Sequence, residues 1–223
     1  MSWFGWALVA PFSWALSNVI DEDLVRHEVR DPVALTIITG LFGGIPAVII
    51  ALSGALTWPG WTAFALAVVH GIIGLLVYLP YLRALTTTSA APVILMWNLS
   101  PVLVAATAWF VVDERLLPRE YIAIALLMVS ALLAARHGVA GVSRWSRALP
   151  LMVLASVMYA AEVLIGKSLY ARVPFVVGFG WSSAAVFTTA CTLLLASPQA
   201  LRGIRAAFQG RMKFVVAVNE VFD

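Results

Sequence analysis

The sequence predicts an all-α integral membrane protein, a polytopic bundle of helices. Hydrophobic residues make up 62% of the chain, charged residues only 11%, and the mean hydropathy is +0.97. A typical soluble domain carries roughly 25% charged residues. Seven stretches are nearly free of charge, and each is close to the ~20 residues that a helix needs to cross a bilayer. These stretches are too long and too uniformly apolar for the strands of a membrane barrel.

The predicted spans cover residues 3–20, 32–53, 61–82, 90–112, 119–135, 148–166 and 173–196, and an eighth begins at Met212. The first span has no Lys or Arg ahead of it and no small-residue cleavage site, so we expect it to remain in the mature protein. Pro32 and Pro174 begin the second and seventh spans, where a missing N–H costs nothing. Trp58 and Trp61 fit the membrane–water interface at a span end.

Lys and Arg are distributed unequally between the two sides of the predicted bundle. The connections after the first, third, fifth and seventh spans hold ten of them, and the opposite side holds four. The positive-inside rule then places the N-terminus outside. The net charge is +3, but the basic residues lie at span ends rather than on one face, so no nucleic-acid partner is expected.

A weak internal repeat relates the first span to the sixth. The first copy contains Ser13–Leu16, Asn18–Leu24 and Pro32, and the second contains Ser156–Tyr159, Val163–Leu169 and Pro174. Each copy is a helix that ends in a polar turn, followed by a proline that begins the next helix. Five spans separate equivalent points, and an odd number of spans places the second copy upside down in the membrane.

Several short motifs, taken in order, resemble a known family. The motifs are Leu82–Ala91, Pro101, Asp113–Leu116 and Tyr121–Ala123. On their predicted helices they resemble the EamA domain of the drug/metabolite transporter superfamily. The resemblance implies two inverted five-helix repeats that move small metabolites by alternating access. It also implies that both termini are cytoplasmic, which disagrees with the orientation that the charge distribution predicts.

Under this resemblance, residues 1–137 form a whole first repeat of five transmembrane helices. Residues 148–223 form the start of a second repeat, with two helices and part of a third, because the chain stops at Asp223. A final span of about a dozen residues is too short to cross ~30 Å. We therefore expect a small-metabolite transporter of the plasma membrane, with a truncated remnant or a non-transporting partner subunit as the alternative.

The expected partners are a small-molecule substrate and the lipid bilayer, and a homodimer is left open. No enzyme activity or cofactor is expected, because the sequence has no pair of candidate catalytic carboxylates, His-Glu-x-x-His helix or nucleophile elbow. Cys191 is the single cysteine, so no multi-cysteine metal site is expected. We interpret the acidic turn Asp21–Asp23, with Arg26 and His27 nearby, as a local cluster of ion pairs.

Two ionisable residues within the predicted spans are candidates for the substrate pathway. Such groups cost about 2.5–3.5 kcal/mol on insertion scales, so they usually face a cavity or a partner. Glu162 and His70 are open to two interpretations: a substrate or proton site, or structural pairing. Asn18, near the end of the first span, either lines the same cavity or bonds across helices.

Two prolines predict exposed backbone at bilayer depth. Pro80 frees the carbonyl of Leu76 and Pro101 frees that of Trp97, because proline has no N–H for the carbonyl four residues back. Such backbone is tolerated where it lines a cavity, although a kink can also serve packing alone. We therefore predict that the segment Trp97–Pro101 lines the pathway, chiefly through Trp97, Asn98 and Pro101. Tyr78 and Tyr81, beside the kink of the third span, are expected on the same pathway. Trp14 and Tyr159 either stack on a substrate there or pack in the core.

Small residues recur on one face of the second span. Gly40 and Gly44 are four positions apart, so their missing side chains lie on the same side of a helix. Glycines at this spacing let another helix backbone approach closely. We therefore predict that this face is a site of helix packing.

Overall fold

The computed structural model describes residues 3–112, 117–136, 142–208, 215 and 219. All regular structure in these residues is helical, so the predicted all-α fold is confirmed. The helices are α1 (Trp3–Asp23), α2 (Pro32–Phe42), α3 (Ile45–Leu52), α4 (Trp61–Leu76), α5 (Tyr78–Thr87), α6 (Ala90–Trp97), α7 (Leu99–Val112), α8 (Pro118–Arg136), α9 (Val142–Tyr170), α10 (Phe175–Ala196) and α11 (Ala200–Ala207).

Five segments of the described chain are long and apolar enough to cross a membrane. They are Pro32–Leu52, Trp61–Thr87, Ala90–Phe110, Arg147–Tyr170 and Phe175–Ala196. These segments correspond to the predicted second, third, fourth, sixth and seventh spans. The first and fifth predicted spans form α1 and α8, which are helical but do not belong to these five. The predicted eighth span lies outside the described residues, apart from Val215 and Asn219.

Three of the spans consist of two helices separated by a short break. The helices before the breaks end at Phe42, Leu76 and Trp97, each four positions before a proline, namely Pro46, Pro80 and Pro101. A proline cannot donate a hydrogen bond to the carbonyl four residues back, and its ring clashes with that carbonyl. Pro11 and Pro150 lie inside the uninterrupted helices α1 and α9, so a proline alone does not break a helix here.

The predicted connection between the first two spans is mostly helical, which corrects the sequence-based boundary at residue 20. The helix α1 continues to Asp23 and is followed by a π-helix, Leu24–Glu28. Leu24 and Val25 are fully buried in the core, and their burial keeps this part of the chain helical against the bundle despite its charged neighbours. Likewise, α11 lies within the predicted polar connection after the seventh span.

The helices α9 and α10 hold the bundle together. The helix α9 packs on α4, α5 and α7, and α10 packs on α2, α3 and α4. A Cβ added at Gly40 would lie 2.6 Å from the Cβ of Ala190, and one at Gly44 would lie 2.6 Å from Cδ2 of Phe187. The small-residue face of the second span therefore lies against α10 of the same chain.

Candidate functional site

A cavity of about 540 Å³ is lined by residues of α1, the α4–α5 span, the α6–α7 span and α9. Eight of its lining residues are predicted pathway residues: Trp14, Tyr78, Tyr81, Trp97, Asn98, Pro101, Tyr159 and Glu162. The others are Asp21, Gly74, Val77 and Ser100. Pockets of roughly 300–1,000 Å³ are typical of small-molecule sites. The cavity therefore has the size of a site for a small ligand.

Helical spacing explains why these residues share one cavity. Side chains three or four positions apart lie on the same face of a helix. Trp14 and Asp21 are seven positions apart on α1, and Tyr159 and Glu162 are three apart on α9. The α4–α5 span contributes Gly74, Val77, Tyr78 and Tyr81, whose spacing follows the same rule. Each span thus presents one face to the cavity.

Trp97 lies at the centre of an aromatic cluster in the cavity wall. Its ring centroid is 5.8 Å from that of Trp14, 5.7 Å from that of Tyr81 and 5.6 Å from that of Tyr159. The ring planes are inclined by 59°, 82° and 55°, respectively. Inclined rings at these distances are typical of aromatic packing. The same rings therefore contribute to the protein core and to the cavity surface.

Asn18 lies behind the cavity wall and bonds to a residue that forms it. The hydroxyl of Tyr81 lies 2.7 Å from Asn18 Oδ1 and 3.0 Å from Asp21 Oδ2, and it can donate to either. The other carboxylate oxygen of Asp21 accepts a hydrogen bond from Asn219 Nδ2 at 2.8 Å. Asn219 Oδ1 in turn accepts a bond from the hydroxyl of Ser17 at 3.2 Å. These bonds satisfy a carboxylate that would be costly to bury without partners.

The position of Asp21 does not fit the prediction that its turn is only a local cluster of ion pairs. Its side chain is only 7% exposed and lines the cavity, whereas its neighbours form the expected pairs. Glu22 lies 3.2 Å from Arg26, and Asp23 lies 3.0 Å from His27. The position of Asp21 at helical spacing after Trp14 is the signal that could have revealed its role, had α1 been predicted to extend past residue 20.

Glu162 meets His70 at the cavity wall. Oε1 of Glu162 lies 3.5 Å from Nε2 of His70, which does not itself line the cavity. On its other side, the imidazole makes an edge contact with the ring of Tyr170, at 5.9 Å between centroids. Two glycines leave room for the pair, since a Cβ at Gly166 would lie 2.7 Å from His70 Nε2 and one at Gly74 would lie 3.4 Å from Glu162 Oε1.

Ser100 lines the cavity and belongs to the predicted pathway segment Trp97–Pro101, although it was not a named candidate itself. Its side chain is 1% exposed, and its hydroxyl has no hydrogen-bond partner among the described residues. Buried polar atoms nearly always have a partner, so an unpaired one invites an explanation. Ser100 lines the cavity, and a ligand that reaches its hydroxyl would supply the missing partner. Its position between Asn98 and Pro101 was the available signal.

Comparisons with known proteins agree with the helical membrane bundle. The model of the EamA-like transporter family matches residues 1–136. No curated protein matches the chain. A protein of known crystal structure is 20% identical with a TM-score of 0.60, over 96% of this chain and 77% of that one. That likeness supports the fold alone. The family match covers more than half of the chain, so the chain belongs to the EamA-like transporter family. It is therefore a membrane transporter rather than an enzyme.

Proposed function

We propose that the chain moves a small metabolite across the plasma membrane by alternating access, and that the cavity is its substrate site. The observation that carries this proposal is the composition of the cavity wall. Polar residues from four spans converge there with aromatic rings, among them Glu162, Asn98 and Ser100. Polar groups at bilayer depth are costly unless they serve a partner or a pathway. A small-molecule substrate would supply that partner.

Two helix breaks support movement at the cavity. Val77, between α4 and α5, and Asn98, between α6 and α7, both line it. The carbonyls of Leu76 and Trp97 lack the N–H donor that an uninterrupted helix without proline would provide. A change of angle at either break therefore costs no intrahelical hydrogen bond at that carbonyl. Such changes would open the cavity to one side of the membrane at a time.

The proposal includes two inverted repeats, over residues 1–137 and 148–223. Pro32 is the first residue of α2, and Pro174 immediately precedes α10, so the spans after α1 and α9 begin alike. Trp14 and Tyr159 occupy similar positions in the two copies. The rings of both residues contact the ring of Trp97. This arrangement supports equivalent roles for α1 and α9 at the substrate site.

Cysteine accessibility tests the proposal without knowledge of the substrate. Cys191 is the single cysteine, so Cys191→Ser provides a background free of thiols. In that background, Asn98→Cys places one thiol at the cavity wall, at a half-buried position. A membrane-impermeant maleimide applied to right-side-out and inside-out vesicles should label this thiol in both.

Ser182→Cys is the matched control, because Ser182 is buried on α10 and does not line the cavity. Its thiol should stay unlabelled in both kinds of vesicle. Labelling of the thiol at position 98 from one side only, or from neither, would contradict alternating access through this cavity.

A further inference from the structure

We propose that the cavity binds a small organic cation, an amine with an apolar or aromatic body. This inference rests on the proposed transport function and names its substrate class. It depends on the charge, the aromatic rings and the unpaired hydroxyl that the cavity wall presents together.

The acidic side chains of the cavity wall are carboxyl groups, and a bound cation favours their ionised form. Asp21 and Glu162 line the cavity, and among the described residues no Lys, Arg or His does. Water screens charges weakly inside a protein, so a carboxylate exerts a stronger field there than in bulk water. A wall of this sign attracts a cation and opposes an anion. The charge of the wall therefore favours a positively charged ligand.

The aromatic rings add a second preference of the same sign. The faces of Trp and Tyr rings carry partial negative charge and attract cations. Trp97 and the three rings around it, those of Trp14, Tyr81 and Tyr159, all line the cavity. Tyr159 is three positions before Glu162 on α9, so this ring and the carboxylate share one helix face. An ammonium bound there can meet a ring and a carboxylate at once.

The titratable groups around Glu162 leave its carboxylate accessible to such a ligand. From α4, His70 approaches Oε1 from outside the cavity lining, at 3.5 Å. From α5, Tyr78 and Tyr81 bring neutral phenols to the wall. Lys167 follows Glu162 by five positions on α9, which turns it about 140° around the helix axis. Among the described residues, the basic side chains near Glu162 therefore lie outside the cavity lining.

Ser100 supplies a directional contact. Its buried hydroxyl has no partner among the described residues and lines the cavity. A hydroxyl oxygen can accept a hydrogen bond from an ammonium N–H. The cavity volume of about 540 Å³ leaves room for a ligand body of one aromatic ring and a short alkyl chain, which the surrounding rings would contact.

Three ligands with one shared body test the charge requirement. Phenethylamine is a cation at neutral pH, 2-phenylethanol is neutral and 3-phenylpropionate is an anion. Each is titrated by calorimetry into the purified full chain in detergent. We expect phenethylamine to bind about tenfold or more tightly than 2-phenylethanol, and 3-phenylpropionate to bind least. A fourth ligand, phenylalanine, carries both an ammonium and a carboxylate and should bind less tightly than phenethylamine.

Glu162→Gln removes the charge of the carboxylate and keeps its shape. It should weaken phenethylamine binding by about tenfold or more and leave 2-phenylethanol binding unchanged. Glu28→Gln is the control, because Glu28 is exposed and lies outside the cavity lining. It should change none of the affinities, and thermal unfolding of both variants shows whether they are folded.

Tighter or equal binding of the neutral, anionic or zwitterionic ligand overturns the proposal. The absence of phenethylamine binding to the folded chain, or an unchanged affinity in Glu162→Gln, overturns it as well. These outcomes are separate from the transport proposal. Labelling of the thiol at position 98 from both sides, together with no preference for the cation, would indicate a transporter of another substrate class.

Discussion

The hydroxyl of Tyr81 on α5 lies 3.0 Å from the carboxylate Oδ2 of Asp21, 60 residues earlier on α1. The same hydroxyl lies 2.7 Å from Oδ1 of Asn18, one turn back along α1. These contacts join the first span to the third behind the cavity. The phenol of Tyr81 therefore links the polar face of α1 to α5 at the cavity wall.

Removal of that phenol should destabilise the fold. Tyr81→Phe takes a donor away from two buried acceptors, which should lower the free energy of unfolding by about 1–3 kcal/mol. Thermal unfolding in detergent measures the effect. Tyr121→Phe, at an exposed position on α8, is the control and should change the free energy by less than about 0.5 kcal/mol. An unaltered midpoint for Tyr81→Phe would show that Asp21 and Asn18 do not need the phenol.

Two glycines on α4 should respond oppositely to substitution. A Cβ at Gly71 would collide with the carbonyl oxygen of Ser182 on α10 and lie 2.8 Å from the Cβ of Ala185. Since backbone cannot yield easily, Gly71→Ala should cost about 1–3 kcal/mol. A Cβ at Gly74 has its nearest neighbour, Glu162 Oε1, at 3.4 Å. Gly74→Ala should be neutral or gain up to about 1 kcal/mol of helix propensity. Equal losses of stability in the two variants would contradict the observed packing of α4 on α10.

The start of α2 should depend on one side-chain cap. The Asp31 side chain accepts a hydrogen bond from Val33 N at 2.9 Å. Asp31→Ala should therefore lower the free energy of unfolding by about 1 kcal/mol. Asp31→Asn keeps an oxygen acceptor and should retain most of the stability, as thermal unfolding would report. If both variants lose the same amount, the charge of Asp31 matters rather than its cap.

The break between α6 and α7 should depend on Pro101. Pro101→Ala supplies an N–H for the carbonyl of Trp97, which favours one continuous helix. The rings around Trp97 would then shift, and maleimide labelling of the Asn98→Cys thiol should slow several-fold. Pro150→Ala is the control, because Pro150 lies in the uninterrupted α9 and outside the cavity lining. An unchanged labelling rate in the Pro101→Ala variant would mean that tertiary packing maintains the break.

Local features of the sequence predicted the five long apolar spans and the positions of the breaks beside the cavity, although Pro11 and Pro150 show that a proline is not sufficient for a break. Span length and composition report the surrounding hydrocarbon directly. Pro80 and Pro101 have no N–H to donate to the carbonyl four residues back. The helices before them end at Leu76 and Trp97, the residues that carry those carbonyls. The charged turn after the first span led to the wrong helix boundary at residue 20. Leu24 and Val25 are buried by residues from other parts of the chain, and the local sequence does not show this.

The sequence by itself determined that the chain is a helical membrane protein and which residues carry its few embedded polar groups. Only the tertiary structure decided which of them meet. The approach of His70 to Glu162 and the burial of Asp21 beneath Tyr81 bring together side chains from different spans. Helical periodicity assigns each side chain to a face of its own helix, but the partner of that face depends on how distant helices pack.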